Sequence, residues 1–137
     1  MEKIKGKLKI IGARYYLQGY ESLYGPLNEQ EDYKSARDKD GHGTHTASIV
    51  AGRAVQNASA LGGFASGTAI GGAPLARLAI YKACWPIKGK PKSDGNVCTN
   101  IDMLKAIDDA IEDGSSLAQR KRVDQLLHST WKTVYAP

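Results

Sequence analysis

The residues with the most specific chemical potential lie between Asp40 and Ser48, a stretch that reads Asp-Gly-His-Gly-Thr-His-Thr-Ala-Ser. Its first histidine, His42, stands between two glycines at the start of a small-residue run that favours a helix. Imidazole is the side chain best suited to pass protons near neutral pH. Glycine on both sides leaves the ring uncrowded and lets another backbone come close. His42 is therefore the leading candidate for a reactive group.

A second histidine, His45, follows three residues later, so on a helix it shares a face with His42. Three interpretations compete: a metal pair completed by Asp38 or Asp40, two structural histidines, or a catalytic general base at a helix N-terminus. A zinc site usually needs a third and a fourth ligand at recognisable spacing, and the cysteines lie far away in sequence. This disfavours the metal interpretation, and no metal or other cofactor is expected.

The elements that must position His42 alternate between strands and helices. Residues 9–17 and 75–84 are β-branched or aromatic and predict two strands, whereas residues 43–53 and 99–113 predict two helices. Polar or glycine-rich stretches predict loops at residues 18–39, 55–74 and 86–96. This order is typical of a parallel α/β layer, so the predicted fold class is α/β.

The helix predicted at residues 99–113 has the strongest signal. Apolar residues recur at helical spacing at Ile101, Leu104, Ile107 and Ile111. Thr99 and Asp102 resemble a capping box at its start, and Gly114 is a natural C-terminal stop.

Composition and charge argue against several classes of function. The net charge is +5, but residues 1–9 and 115–137 contribute +3 each, and the stretch between them holds 11 basic and 12 acidic residues. The body lacks the basic face that nucleic-acid binding requires. No run approaches the ~18 apolar residues of a membrane span, and residues 1–9 lack the apolar core of a signal peptide. Neither nucleic acid nor a membrane is an expected partner.

Four stretches, in order along the chain, resemble the subtilisin-like serine proteases in their plant subtilase form, peptidase family S8. Residues 40–48 resemble the family's histidine motif, and residues 9–16 (Lys-Ile-Ile-Gly-Ala-Arg-Tyr-Tyr) resemble the strand before it. Residues 65–85, from Ala-Ser-Gly-Thr-Ala to Ile-Tyr-Lys-Ala-Cys-Trp, resemble the following loop and strand. Residues 101–114 resemble the next helix. The resemblance implies part of a three-layer, parallel-sheet catalytic domain that hydrolyses peptide bonds in protein or peptide substrates.

The resemblance also implies a catalytic triad in the order Asp, His, Ser, in which His42 matches the catalytic histidine and His45 a structural position. The family's aspartate ends a strand well before the histidine motif, but no aspartate precedes Asp32 in this chain. The family's serine lies in a downstream Gly-Thr-Ser motif, which does not occur here. The chain is therefore expected to carry one triad member and to be inactive alone.

The resemblance divides the chain into three parts. Residues 1–8 form a basic, non-matching N-terminus, residues 9–114 form the partial peptidase domain, and residues 115–137 form a non-matching tail. In the family the helix at residues 101–114 runs into an apolar strand, whereas Ser-Ser-Leu-Ala-Gln-Arg follows Gly114 here. Two alternatives to a protease fragment stay open: a non-catalytic interaction module that binds a protein through an exposed sheet edge, and a truncated gene product without function.

Two further features depend on the cellular compartment. Cys84 and Cys98 would be reduced in the cytosol, or would close a loop by a disulfide in a secreted chain. Asn57-Ala58-Ser59 is a glycosylation sequon, usable at Asn57 only in the secretory route. The family resemblance implies an extracellular location.

Overall fold

The fold was analysed in a computed structural model that describes residues 9–91, 94–114 and 134–136. Its elements in chain order are β1 (Ile10–Tyr15), α1 (Gln18–Tyr24), α2 (His42–Ala51), β2 (Val55–Ala60), β3 (Phe64–Ala69), β4 (Arg77–Lys82), β5 (Cys84–Pro86), β6 (Asn96–Cys98), α3 (Asn100–Glu112) and β7 (Val134–Ala136). Residues 1–8 and 115–133, which form the predicted N-terminal segment and most of the predicted tail at residues 115–137, lie outside the described residues.

A three-stranded sheet in the order β1-β4-β7 forms the centre of the fold. Strands β1 and β4 run parallel, with Ala13 opposite Ile80, and β7 pairs antiparallel to the first half of β4. Parallel neighbours need a long crossover connection, and α1 and α2 lie within it. The predicted α/β class with a parallel sheet is confirmed, as are the predicted strands that contain β1 and β4.

Two of the predicted loops contain regular structure. Residues 18–39 begin with α1, a helix too short to be stable on its own. Residues 55–74 contain the antiparallel hairpin β2–β3, whose turn includes Gly62 and Gly63 at positive φ. Most of the hairpin side chains are small or polar and almost all are exposed, so they lack the alternating pattern that marks a half-buried strand.

Helix α3 begins as predicted, with the Thr99 hydroxyl accepting a hydrogen bond from the Asp102 amide. Its buried residues are not the apolar ones that indicated the helix. Ile101, Leu104 and Ile111 are each more than half exposed, whereas Asp102, Met103, Ala106, Asp109 and Ala110 face the described core. The helix therefore presents an uncovered apolar face to its surroundings, within the part of the chain that the structure describes.

Most of the buried apolar residues form two clusters. Ala79, Tyr81 and Ala83 pack against Met103, Ala106 and Ala110 of α3 in the first cluster. Trp85 forms the second with Leu17, Tyr20 and Leu27. The indole of Trp85 is fully buried and donates its Nε1 hydrogen to the Tyr16 carbonyl over 2.7 Å. A buried Trp N–H needs such a partner.

The side chain of Asp102 caps the other helix of this region. Its two oxygens accept hydrogen bonds from the backbone amides of Gly19 and Tyr20, each over 2.9 Å. Those amides belong to the first turn of α1, where no intrahelical acceptor exists and where an anion is favoured. The sequence prediction missed α1 because its cap comes from a residue more than eighty positions away.

We expect Asp102→Ala to lower the free energy of unfolding by roughly 2–4 kcal/mol, because it leaves two buried backbone donors unsatisfied. Urea denaturation followed by circular dichroism measures this. The matched control is Asp108→Ala on the exposed face of the same helix, expected to change stability by less than about 0.5 kcal/mol. Equal effects of the two substitutions would contradict the capping role.

A second carboxylate of α3, Asp109, accepts hydrogen bonds from Lys105 Nζ over 2.6 Å and from the Tyr16 hydroxyl over 2.9 Å. Arg14 lies 3.3 Å away on β1. The hydrogen bond from Lys105, followed by that from Tyr16, lowers the pKa of Asp109 below its usual range. Burial and the bond to Asp109 raise the pKa of Tyr16, so its hydroxyl stays protonated as a donor. The cluster ties α3 to β1.

Because the folded pKa of Asp109 lies below its unfolded value, its ionisation stabilises the fold above about pH 4, and this contribution is lost as the pH falls through the folded pKa. Asp109→Asn is therefore expected to lower the melting temperature near pH 7, with a gap to the wild type that narrows towards about pH 3. Thermal unfolding across this pH range tests this, with Asp108→Asn as the exposed control. A gap that is constant with pH would exclude the linkage.

Candidate functional site

His42 is the first residue of α2, immediately after Gly41, whose φ of 96° lies in the left-handed region. Glycine reaches this conformation without the steric cost that other residues bear. The side chains of His42 and His45 are both exposed, and the intervening Gly43 is buried. The helix predicted at residues 43–53 is confirmed with a start one residue earlier, and it delivers His42 to the surface at its N-terminal turn.

The carboxylate of Asp38 fixes the start of this helix. Its Oδ1 accepts the Gly41 amide over 2.9 Å, and its Oδ2 accepts the amide and the hydroxyl of Thr44 over 2.7 and 2.8 Å. These bonds close around His42 from both sides. Asp38 lies six positions before Thr44, outside the spacing of an ordinary N-cap signature, so the sequence motif did not reveal it.

The metal interpretation of the histidine pair finds no support in the described part of the chain, where no group of three or more His, Cys, Asp or Glu side chains is arranged to hold a metal ion. Asp38, the candidate third ligand, directs its two oxygens to Gly41 and Thr44. The position of His42 leaves its imidazole accessible to a reactant from solvent.

A cavity of about 450 Å³ lies between α2 and the sheet, next to the N-terminal turn that carries His42. Its floor is apolar, made by Ile10, Ala13, Leu78 and Ile80 of β1 and β4. Its rim includes Asp38 and Thr44, the two residues joined by the helix cap. The cavity gives the histidine turn an open apolar neighbour in place of a packed core.

Asp32, the first aspartate of the chain, forms a buried ion pair rather than a contact with the histidines. Its Oδ1 lies 2.8 Å from Lys82 Nζ, and the two side chains are only 4% and 1% exposed. The ammonium also donates to the Arg37 carbonyl over 2.8 Å and lies 4.3 Å from the centre of the Trp85 ring. Sequence reasoning overlooked this pair, although a lysine inside an apolar strand is a signal that a partner must exist.

The compartment-dependent residues lie on other elements than the helix that carries His42. Cys84 and Cys98 stand opposite each other across the β5–β6 pair, where their sulfur atoms are joined as a disulfide. Asn57 is exposed on the hairpin strand β2, at a positive φ of 56°. No helix among the described residues is long and apolar enough to cross a membrane.

A family model and individual plant proteins that match this chain point to the same family. The model of the Subtilase family matches residues 10–124. The chain is 64% identical over 108 residues to Subtilisin-like protease SBT5.6 of Arabidopsis thaliana, which covers 77% of this chain and 14% of the relative. It is 61% identical to Subtilisin-like protease SBT5.5 of the same plant and 53% identical to Subtilisin-like serine-protease S of Lotus japonicus, with 77% of the chain and 13% of each relative covered. No solved structure matches at a significant level.

The match therefore spans about one seventh of the length of these relatives, 14% for SBT5.6. The family match includes the histidine turn, both parallel strands and α3, because all of them lie inside residues 10–124. The chain belongs to the subtilase family, the family of the subtilisin-like proteases.

Proposed function

We propose that this chain is a segment of a subtilisin-like serine endopeptidase and that His42 is the proton carrier of its catalytic triad. The observation that carries the proposal is the position of His42 on the first turn of α2, exposed beside an open cavity and held from both sides by the Asp38 cap. The family match supplies the reaction class, the hydrolysis of peptide bonds in protein or peptide substrates.

In this mechanism the imidazole of His42 accepts the proton of a serine hydroxyl as the serine attacks the peptide carbonyl, and later donates it to the leaving amine. An aspartate holds the ring in the correct tautomer. His45 points from the same helix one turn further on and takes no part in the proton transfer. The exposed Gly41 leaves room for a substrate chain beside the ring.

Two features support the inference that the 137-residue chain does not supply the other two groups. It has no Gly-Thr-Ser sequence, and its first aspartate, Asp32, is occupied by the buried Lys82. Asp38 is committed to the cap of α2. We infer that the aspartate and the serine come from polypeptide that this sequence does not contain, and that the isolated chain does not hydrolyse peptides.

The purified 137-residue chain is expected to show no cleavage of a fluorogenic peptide and no labelling by a fluorophosphonate. Cleavage that disappears in the His42→Ala variant would contradict this expectation, because it would mean that the chain carries a complete site.

A chimera tests the role of His42 itself. The aligned 108-residue segment of SBT5.6 is replaced by the corresponding residues of this chain, which should preserve peptidase activity. In that chimera His42→Ala is expected to lower kcat by on the order of 10⁴-fold or more, a magnitude known for subtilisin itself. The matched control, His45→Ala, is expected to keep kcat within about tenfold. A chimera equally active with either substitution would refute the proposal.

A second candidate, a non-catalytic interaction module, is favoured by one observation. Among the strands that the structure describes, β1 is the outer strand of the sheet, and it is exposed along its whole length, with Ile10 and Ile11 about half exposed. Such an edge offers unpaired backbone groups to a partner strand. Chemical-shift changes confined to β1 on adding an intact, catalytically inactivated subtilase would support this function, and their absence would count against it.

We also propose an extracellular location, since the disulfide between Cys84 and Cys98 and the exposed sequon at Asn57 both suit the secretory route. When the chain is expressed with a signal peptide, the wild type should carry extra mass that a glycosidase removes. The Asn57→Gln variant should lack this extra mass. An unmodified wild-type chain in the medium would remove the support that the sequon gives.

A further inference from the structure

We propose that the buried ion pair between Lys82 and Asp32 is a positioning device for His42, acting through the segment that ends at Asp38. The proposal rests on the proposed catalytic role of His42 for its functional meaning. Contacts within this chain alone support the structural part of the proposal, in which Lys82 on the central strand sets the geometry of the first turn of α2.

The first contact is the ammonium of Lys82, which lies at the C-terminal end of β4 and is 1% exposed. A charge in this environment is tolerated only when partners replace its water. The carboxylate of Asp32 at 2.8 Å supplies the opposite charge, and the face of the Trp85 ring at 4.3 Å supplies a cation–π contact. The burial of Trp85 and its bond to the Tyr16 carbonyl hold that ring in place.

The second contact links the same ammonium to the backbone just before Asp38. Lys82 Nζ donates to the Arg37 carbonyl over 2.8 Å. Asp32 and Arg37 are five residues apart, so one side chain holds the segment at two points. Arg37 directly precedes Asp38, and the peptide group that carries the accepting carbonyl joins these two residues. Lys82 therefore restrains the backbone from which the Asp38 side chain extends.

The third contact transfers this restraint to His42. Asp38 accepts three hydrogen bonds from Gly41 and Thr44, the residues that bracket the histidine turn. The amides of a first helical turn have no intrahelical acceptor, so this carboxylate determines where the helix starts. The path from β4 to His42 thus consists of Lys82, the peptide between residues 37 and 38, and the Asp38 cap.

If Lys82 only stabilised the core, its removal would change amide exchange in a different pattern. Its removal would lower global stability, and every amide that exchanges through global unfolding would lose the same protection. A positioning lysine instead releases the Asp38 cap locally, so the Thr44 amide loses more protection than amides inside α3. Amide hydrogen exchange of the isotope-labelled 137-residue chain, measured by NMR, separates the two cases.

In Lys82→Met we expect the protection of the Thr44 amide to fall by at least about tenfold more than that of Ala106 in α3. The matched control is Lys105→Met, which also removes a lysine–aspartate pair, here at 2.6 Å, but lies on α3 away from the cap. In this control, the ratio of the protection of the Thr44 amide to that of the Ala106 amide should stay within about twofold of its wild-type value. In an Asp38→Asn background, Lys82→Met should add little further loss at Thr44, because both substitutions act on one path.

Equal losses at Thr44 and Ala106 in Lys82→Met, or fully additive losses in the double variant, would overturn the proposal. If Lys82→Met fails to fold, Asp32→Asn serves in its place, since it keeps an acceptor oxygen for Lys82 and removes only the charge. It should loosen Thr44 selectively but less strongly, and a uniform change would again overturn the proposal.

The functional consequence is measured separately in the chimera with SBT5.6. There Lys82→Met should lower kcat more than it changes KM, because it displaces His42 without removing a substrate contact. Lys82→Arg, which keeps the charge, should recover part of the lost kcat. If His42→Ala leaves the chimera active, the proposed function fails while the exchange result at Thr44 still decides the positioning claim.

Discussion

A buried ammonium at the end of the central strand is the constraint on which the described fold depends most. Lys82 at the end of β4 is only 1% exposed, so its charge must be matched by partners inside the protein. The match comes from Asp32, in a connection that would otherwise be free to lie on the surface. That connection is thereby pinned to the sheet, and the helix that follows it starts at a defined place. The requirement to neutralise one charge thus organises the path to the histidine turn.

Carboxylates from other segments fix the start of two helices in this molecule. Asp102 reaches from α3 to the first turn of α1, and Asp38 reaches across six positions to the first turn of α2. In both cases the helix lacks a cap from its own flanking residue, and a carboxylate from another segment supplies it. The helices are short, so these caps and their tertiary contacts, rather than intrinsic propensity, account for their presence. For α1, which lies in a predicted loop, order comes from a long-range polar contact with Asp102.

This explains what could be predicted from the sequence. The parallel strands and α2 and α3 follow from local patterns, and the histidine motif by itself indicates the family. Helix α1 was missed because its cap is Asp102, and the hairpin β2–β3 was missed because its small exposed side chains have no strand periodicity. The apolar spacing of Ile101, Leu104 and Ile111 identified α3 correctly but marked a face that the described residues leave exposed. Periodicity reveals a helix, whereas the face it buries depends on which neighbours are present.

The site shows the same division. The sequence identified His42 as the group with chemistry, and it presented Asp38 only as a candidate ligand among several acidic neighbours. Its role as a cap depends on a turn through Gly41 at positive φ, which brings residues 38 and 44 together. The lysine behind this arrangement was invisible as a functional residue, because its partners are residues 32 and 37, in a segment predicted as a surface loop.

The proposed role of His42 as the proton carrier of a serine endopeptidase site is open to a direct structural test. The test is a crystal structure of the chimera with SBT5.6, inactivated by a fluorophosphonate that bonds to its nucleophilic serine. The measurement is the distance from the His42 imidazole to that serine's side-chain oxygen. We expect His42 Nε2 within about 2.6–3.2 Å of that oxygen, the reach of a hydrogen bond. An imidazole turned away into solvent, with another side chain in contact with the serine oxygen, would contradict it.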